Sequence, residues 1–322
     1  MEKETIGIKS VGIFLPQEVR SIISPHGDVV SIRIAESDET PYEIGAKSIR
    51  NMVEKAKISL QDLEDQYFFF NEESYGDYLF QMHGRQIMDK VGVNRIISFN
   101  LIQGGNSSLM LMRLLLNHLR ANDDSRFGVI GSPQSWGFHS QDRLLGDAVL
   151  GDGAASLLLE KGYQKNRILS IVTKTISKYH DVIYNEVGGW KLPIADKPCK
   201  EGKFVYKVQN ISHYKEIETQ VFKILETVIE QALNKAKISW EEIERVVIHS
   251  PTQSHYNRFR KHFNLKEEQI IDSAKEYGFM CSAGILLSID MLLNEENLKQ
   301  GTKVLVPSFG VDGNWAAAVI EI

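Results

Sequence analysis

The chain has 322 residues, 43% apolar and 25% charged, with a net charge of −5. That is ordinary composition for a soluble globular protein with material for one large core or two medium ones. Its 37 Lys and Arg are spread among 42 Asp and Glu, which argues against a nucleic-acid partner.

The first residues, MEKETIGIKS, lead straight into a strand-like stretch, with no signal-peptide pattern. The longest apolar runs, such as 109–116 (broken by Arg113), fall far short of the roughly 20 residues of a membrane span. Two cysteines, Cys199 and Cys281, exclude a disulfide scaffold and fit a reducing compartment. The expectation is a cytoplasmic protein with no membrane partner. The nine histidines show no metal-ligand spacing, and His255 and His262 read as residues of a helix face, so no metal is expected.

In chain order, an amphipathic helix starts near Glu43 and ends at Lys55-Ala56-Lys57-Ile58-Ser59. An acidic stretch (LQDLED) and an apolar strand over 67–70 follow. A strand over 97–100 leads to the small residues Gly104-Gly105-Asn106-Ser107 and an apolar helix over 106–116 (NSSLMLMRLLL). A strand over 127–130 and a Gly-rich turn then enter a last strand, Gly151-Asp152-Gly153-Ala154-Ala155 through Glu160. Asp152 reads as structural, holding N–H groups of its turn. Cys199 lies in a Lys-flanked loop (KPCK) and reads as inert and exposed.

The series then repeats. A helix from about Glu216 ends at Lys235-Ala236-Lys237-Ile238-Ser239, followed by WEEIER and a strand over 246–248. Small residues Cys281-Ser282-Ala283-Gly284 open an apolar helix over 281–292 (CSAGILLSIDML), ahead of a strand over 303–306 and a final strand from Gly313 to Glu321. Four matched elements in one order imply an α/β protein of two pseudo-duplicated βαβαβ halves, 1–165 and 166–322, with buried strands and helices outside. A unit of this length is too long for a solenoid repeat. If the halves pack about a pseudo-twofold axis, the two small-residue helix starts converge, and their free amides would line a chamber able to polarise a carbonyl.

With those elements in place, the sequence resembles the ketoacyl-ACP synthase III branch of the thiolase superfamily over nearly its whole length. Ile6 through Pro16 (IGIKSVGIFLP) resembles the family's I-x-G-x-G-x-Y-L-P opening. Leu150-Gly151-Asp152-Gly153-Ala154-Ala155 is similar to F-G-D-G-A-G, and Val247-Ile248-His249-Ser250 to V-P-H-Q. Tyr277 through Ala283 (YGFMCSA) sits where the family has H-G-N-T-S-A-A, and Phe309-Gly310 through Ala317 resembles F-G-G-G…W-x-x-A. The resemblance implies a thiolase fold in five layers, αβαβα, a dimer, and a CoA or ACP phosphopantetheine thioester as ligand, with no tightly bound cofactor.

It also implies a Cys–His–Asn catalytic set. Carried over by position, the histidine is His249, but Gly105 stands at the cysteine and Phe279 at the asparagine. Glycine cannot carry an acyl group, and loss of a nucleophile costs on the order of 10⁶ in rate in a protease example. Phe279 cannot donate a hydrogen bond to a developing oxyanion, a loss of roughly 10²–10³.

Remaining candidates are the backbone of Gly104, Gly105, Asn106 and Gly310 as an oxyanion site, Cys281 as a displaced nucleophile, and Ser107, Ser108, Trp190 and Trp315 as substrate-binding residues. The serines read first as packing or capping the helix, and the tryptophans equally as pocket-lining or core. Three functions are consistent with this set. The first is a non-condensing partner subunit, homodimeric or paired with a Cys-containing homologue, in specialised fatty acid or polyketide-type metabolism. The second is an acyltransferase or thioester hydrolase working by direct transfer, with His249 as base. The third is a condensing enzyme using Cys281 or a serine. The Lys-bearing loop 200–207 would serve as a carrier-protein patch or as a solvated loop.

Overall fold

The computed structural model describes residues 4–74, 76–78, 81–137, 140, 142–193 and 206–322; Cys199 and most of the 200–207 loop lie outside these. Strand β1 (Ile6–Phe14) is followed by a hairpin of β2 (Glu18–Ile23) and β3 (Val29–Ile34). Helix α1 (Pro41–Ala56), β4 (Gln66–Asn71), α2 (His83–Val91) and β5 (Ile96–Leu101) come next. Helix α3 (Ser107–Ala121), β6 (Phe127–Gln134), a ribbon of β7 (Leu144–Leu145) and β8 (Ala148–Val149), and β9 (Gly153–Lys161) complete the first series.

The second series runs β10 (Arg167–Thr175), a ribbon of β11 (Ile183–Tyr184) and β12 (Lys207–Val208), then α4 (Ile211–Ala236) and β13 (Ile243–Ile248). It ends with α5 (Gln253–His262), β14 (Ile270–Asp272), α6 (Ala274–Tyr277), α7 (Cys281–Leu293), β15 (Lys303–Gly310) and β16 (Asn314–Glu321).

The repeated pentapeptide has a local cause. Lys57 and Lys237 both take left-handed φ, +55° and +59°, one residue past their helices. The next amides, of Ile58 and Ile238, bond back to Val53 and Leu233 in Schellman fashion. Ser59 and Ser239 then cap the following 3-10 turn reciprocally with Asp62 and Glu242. Helix α4 begins at Ile211, before the expected Glu216, because Asn210 accepts the N–H of His213 and starts it there.

The strand order is β14-β13-β15-β16-β10-β1-β9-β6-β4-β5. It reads as two equivalent sets of five meeting at β1 and β10, joined by the single registered pair Gly7↔Arg167. In each set four strands point the same way and one, β16 or β9, runs against them, a richer pattern than the expected βαβαβ unit. Helices α1 and α2 cover the outside of one set and α4 and α5 the outside of the other. Helices α3 and α7 lie between the sets, giving the expected αβαβα layering. Helix α7 is buried nearly all round, which accounts for its lack of a polar face.

Asp152 is fully buried and structural, but it does not serve its own turn. Its Oδ1 accepts the Trp136 N–H at 2.8 Å and pairs with Arg143 at 2.6 Å, and its Oδ2 accepts the Ala35 N–H at 2.8 Å. It therefore ties three segments remote in sequence. Replacing Asp152 by Ala leaves a buried guanidinium and two amides without partners. The expected loss is about 3–5 kcal/mol in urea unfolding; a loss within error of zero would refute this role.

Candidate functional site

Gly104–Asn106 forms one 3-10 turn that runs into α3. Small residues there and at the start of α7 allow the two helix starts to meet. Ser108 Oγ donates to the Ser282 carbonyl at 2.9 Å, and Ser282 Oγ lies 3.3 Å from the Gly104 carbonyl. Gly105 is not a packing requirement. A Cβ built on it meets only the Phe309 carbonyl at 3.5 Å and the edge of the Phe279 ring at 3.7 Å, ordinary contact distances.

His249 ends β13 beneath this point, and its surroundings correct the reading of it as a base. Met280 N–H donates to Nε2 at 2.7 Å, so that nitrogen carries a lone pair and no proton. The proton on Nδ1 then goes to Ser273 Oγ at 2.9 Å; Ser273 in turn donates to the Gly284 carbonyl. Phe279 stacks on the imidazole, 5.0 Å between centroids and 14° between planes, and Phe279 is the ring that faces the cavity. Gly284 makes room for the ring, since a Cβ there would stand 2.0 Å from Nε2. Burial pushes the pKa of His249 down to about 3. It is a neutral, fully bonded residue that positions the Phe279–Met280 turn.

The other sequence candidates divide. Gly104, Gly105, Gly310 and Cys281 border one cavity of about 160 Å³. Cys281 is buried, and its thiol is pushed well up, first by burial and then by the charges of Glu73 and Asp312. A thiol held protonated is a poor nucleophile, so the displaced-nucleophile reading of Cys281 is not favoured.

Of the expected substrate-binding residues Ser107, Ser108, Trp190 and Trp315, none borders this cavity. Ser107, the first residue of α3, closes the preceding turn, accepting the Gln103 N–H and donating to the Gly104 carbonyl. Ser108 ties the two inner helices. Trp315 is core, its Nε1 donating to the Val221 carbonyl at 3.2 Å, and Trp190 is 98% exposed. Asn106 is buried behind the turn.

Two acidic cavity residues, Glu73 and Asp312, were not singled out in the sequence, and His255 was read only as a residue of a helix face. Glu73 lies just past the end of β4, and burial raises its carboxyl to about 7 against the opposing pull of Ser282, Ser107 and Asn71. The strand-end argument that singled out His249 applies equally to it. Asp312, in the β15–β16 turn, packs its carboxyl against Gly104 and Gly310, where an added Cβ would come within 2.6 and 2.3 Å of it. Burial raises Asp312 as well. His255 on α5 stacks on Phe309 and lies 3.3 Å from Glu218; burial, then the Arg258 charge, lower it to about 4. Among the described residues no group of three or more His, Cys, Asp or Glu could hold a metal, and no helix is long and apolar enough to cross a membrane.

Residues 233–322 match the family model described as the C-terminal part of 3-oxoacyl-[acyl-carrier-protein] synthase III. The chain is 22% identical to the β-ketoacyl-[acyl-carrier-protein] synthase III of Microcystis aeruginosa over 288 residues, covering 89% of this chain and 85% of that protein. In architecture it is similar to the synthase III of Thermus thermophilus, with a TM-score of 0.79, 18% identity and coverage of 98% and 99% of the two chains. It is also similar to a priming β-ketosynthase of a polyketide pathway, with a TM-score of 0.82, 18% identity and coverage of 100% and 97%.

His249 fixes a measurable pH behaviour. Above pH 6.5 its ring is neutral in both the folded and the unfolded chain; below that, the unfolded chain takes up a proton that the folded one refuses. Stability from this residue is thus lost as pH falls from about 6.5 towards 3. The ring resonances of His249 should not titrate between pH 8 and 5 by NMR. The destabilisation caused by His249→Gln should shrink by about 2 kcal/mol on going from pH 7 to 5. A ring that titrates near pH 6.5 contradicts the geometry.

Proposed function

We propose that this chain, a ketoacyl-ACP synthase III-like protein of the thiolase superfamily, binds an acyl thioester without taking the acyl group covalently, and acts as the non-condensing partner of a Cys-containing homologue. The observation that carries the reading is Gly105: the position at the buried helix start has space for a side chain and no atom to accept an acyl group. Two further features agree with it. Phe279 offers no hydrogen bond to a thioester carbonyl, and His249 has no free nitrogen. Decarboxylative condensation needs both a nucleophile and an oxyanion donor.

The ligand in this reading is a CoA or ACP phosphopantetheine thioester, and the setting is cytoplasmic fatty acid or polyketide-type metabolism. Ile102, Leu145 and Phe309 give the cavity an apolar wall for an acyl chain. The chain is read as two halves, 1–165 and 166–322. Strand β5 supports the dimeric part of the proposal: it is an edge strand beside β4 only, and Ile97 on it is 50% exposed. Edges of this kind pair readily with another chain. Direct transfer with His249 as base is not retained, since its ring is sealed behind Phe279.

Intact-protein mass spectrometry after incubation with an acyl-CoA tests the reading. The wild-type chain should bind the thioester with no mass increase, whereas Gly105→Cys should gain one acyl group. Co-expression with a Cys-bearing homologue should give a stable heterodimer that condenses, while this chain alone does not. An acyl adduct on the wild-type protein, or condensation by its homodimer, overturns the proposal.

A further inference from the structure

The geometry points to Glu73 as a catalytic general base that moves the acyl group of a bound thioester directly onto an amine. The inference goes beyond the partner-subunit role and rests only on the thioester-binding part of that proposal. Glu73 borders the same cavity as Gly105 and Phe279. Its carboxylate is held rigidly from two sides. Oε1 accepts Ser282 Oγ at 2.7 Å, and Oε2 accepts the Ser282 N–H at 3.2 Å, Asn71 Nδ2 at 3.2 Å and Gln134 Nε2 at 3.1 Å. All of these are neutral donors. They orient the group without the fixed cation that would lock it in the ionised form.

The kind of acceptor follows from the charge of the wall. The ionisable groups bordering the cavity are four carboxyls, Glu73, Asp147, Glu218 and Asp312, together with His255, Tyr206, Tyr214 and Cys281; among the described residues no Lys or Arg borders it. Asp312 Oδ1 is buried, with no hydrogen-bond partner. Such a wall, rich in carboxyl acceptors, favours a group able to donate hydrogen bonds, and an amine is such a group.

The groups that face Glu73 are Cys281 and Ser282 from α7, Ser107 from α3, Gln134 from β6 and Asn71 from β4, while Asp312 from the β15–β16 turn acts on Cys281. Neighbouring Glu72 turns away to the His83 amide and Asn100. Cys281 and Asp312, both raised by burial, bring no positive charge. Glu73 therefore changes protonation near neutrality, where a general base is most effective.

In the step, the neutral amine nitrogen attacks the thioester carbonyl and a C–N bond forms. The nitrogen's proton passes to the Glu73 carboxylate. The C–S bond breaks, and the departing thiolate takes that proton back from Glu73. Thioester and amine become amide and thiol, and Glu73 is regenerated.

The test uses the full chain, a medium-chain acyl-CoA, and two acceptors, an aliphatic amine and an arylamine. The arylamine is neutral across the range and isolates the ionisation of Glu73. Thioester binding is measured separately by calorimetry. Thiol release and amide formation should both occur, and the arylamine rate should rise through pH 7. Glu73→Gln should bind the thioester but slow transfer by about 10²–10⁴-fold, with partial recovery in Glu73→Asp. A bound thioester that releases no thiol, release as free acid only, a flat wild-type pH profile, or an unchanged rate in Glu73→Gln overturns the inference. Failure of the thioester to bind at all overturns the function proposed above instead.

Discussion

The meeting of two helix starts between two sheets governs the rest of the molecule. Helices α3 and α7 each begin with residues small enough to let their backbones touch, and Ser108 and Ser282 stitch the contact. Everything near the cavity takes its position from that junction. Gly104 and Gly105 come from one helix start, Cys281 and Ser282 from the other, and the Phe309–Asp312 segment closes over them. The site belongs to neither series of elements alone; it is formed where the two series meet.

Much of the architecture was legible in the sequence because the signals for it are local. The paired Lys-Ala-Lys-Ile-Ser segments each contain a helix end, a left-handed cap and the cap of the next turn, all within hydrogen-bonding range along the chain. Side-chain chemistry was less legible because it depends on distant partners. Glu73 is anchored by Ser282, 209 residues away, and no spacing rule connects them. His249 was recognisable as a strand-end residue, but its state is set by a backbone amide at Met280 and a ring at Phe279, which a motif does not encode. Trp190 and Trp315 show the same limit in reverse, since one aromatic letter stands for a fully exposed side chain and the other for a fully buried one.

Burial dominates the electrostatics of the centre. It holds His249 and His255 neutral and raises Glu73, Asp312 and the Cys281 thiol, so a site rich in ionisable groups carries less charge near neutrality than its composition suggests. A site of this kind responds steeply to any ligand that brings charge, because each incoming positive group draws the carboxyls towards ionisation. The same desolvation keeps the Cys281 thiol protonated.

The seam between the two five-strand sets bears on how the molecule could deform. Only Gly7 and Arg167 are in ladder register across it, supplemented by bonds between Ile8 and Asn166. Cohesion across the mid-plane therefore resides in the apolar side chains of the inner helices, together with the Ser108–Ser282 and Glu73–Ser282 bonds and the backbone bridge between Leu150 and Phe279. A ligand pressing on the junction would be met by shear between two stiff blocks, each keeping its own ladder intact. Widening of the chamber would be a collective movement of whole sheets, resisted by the bridge at Phe279 and the bonds at Ser282.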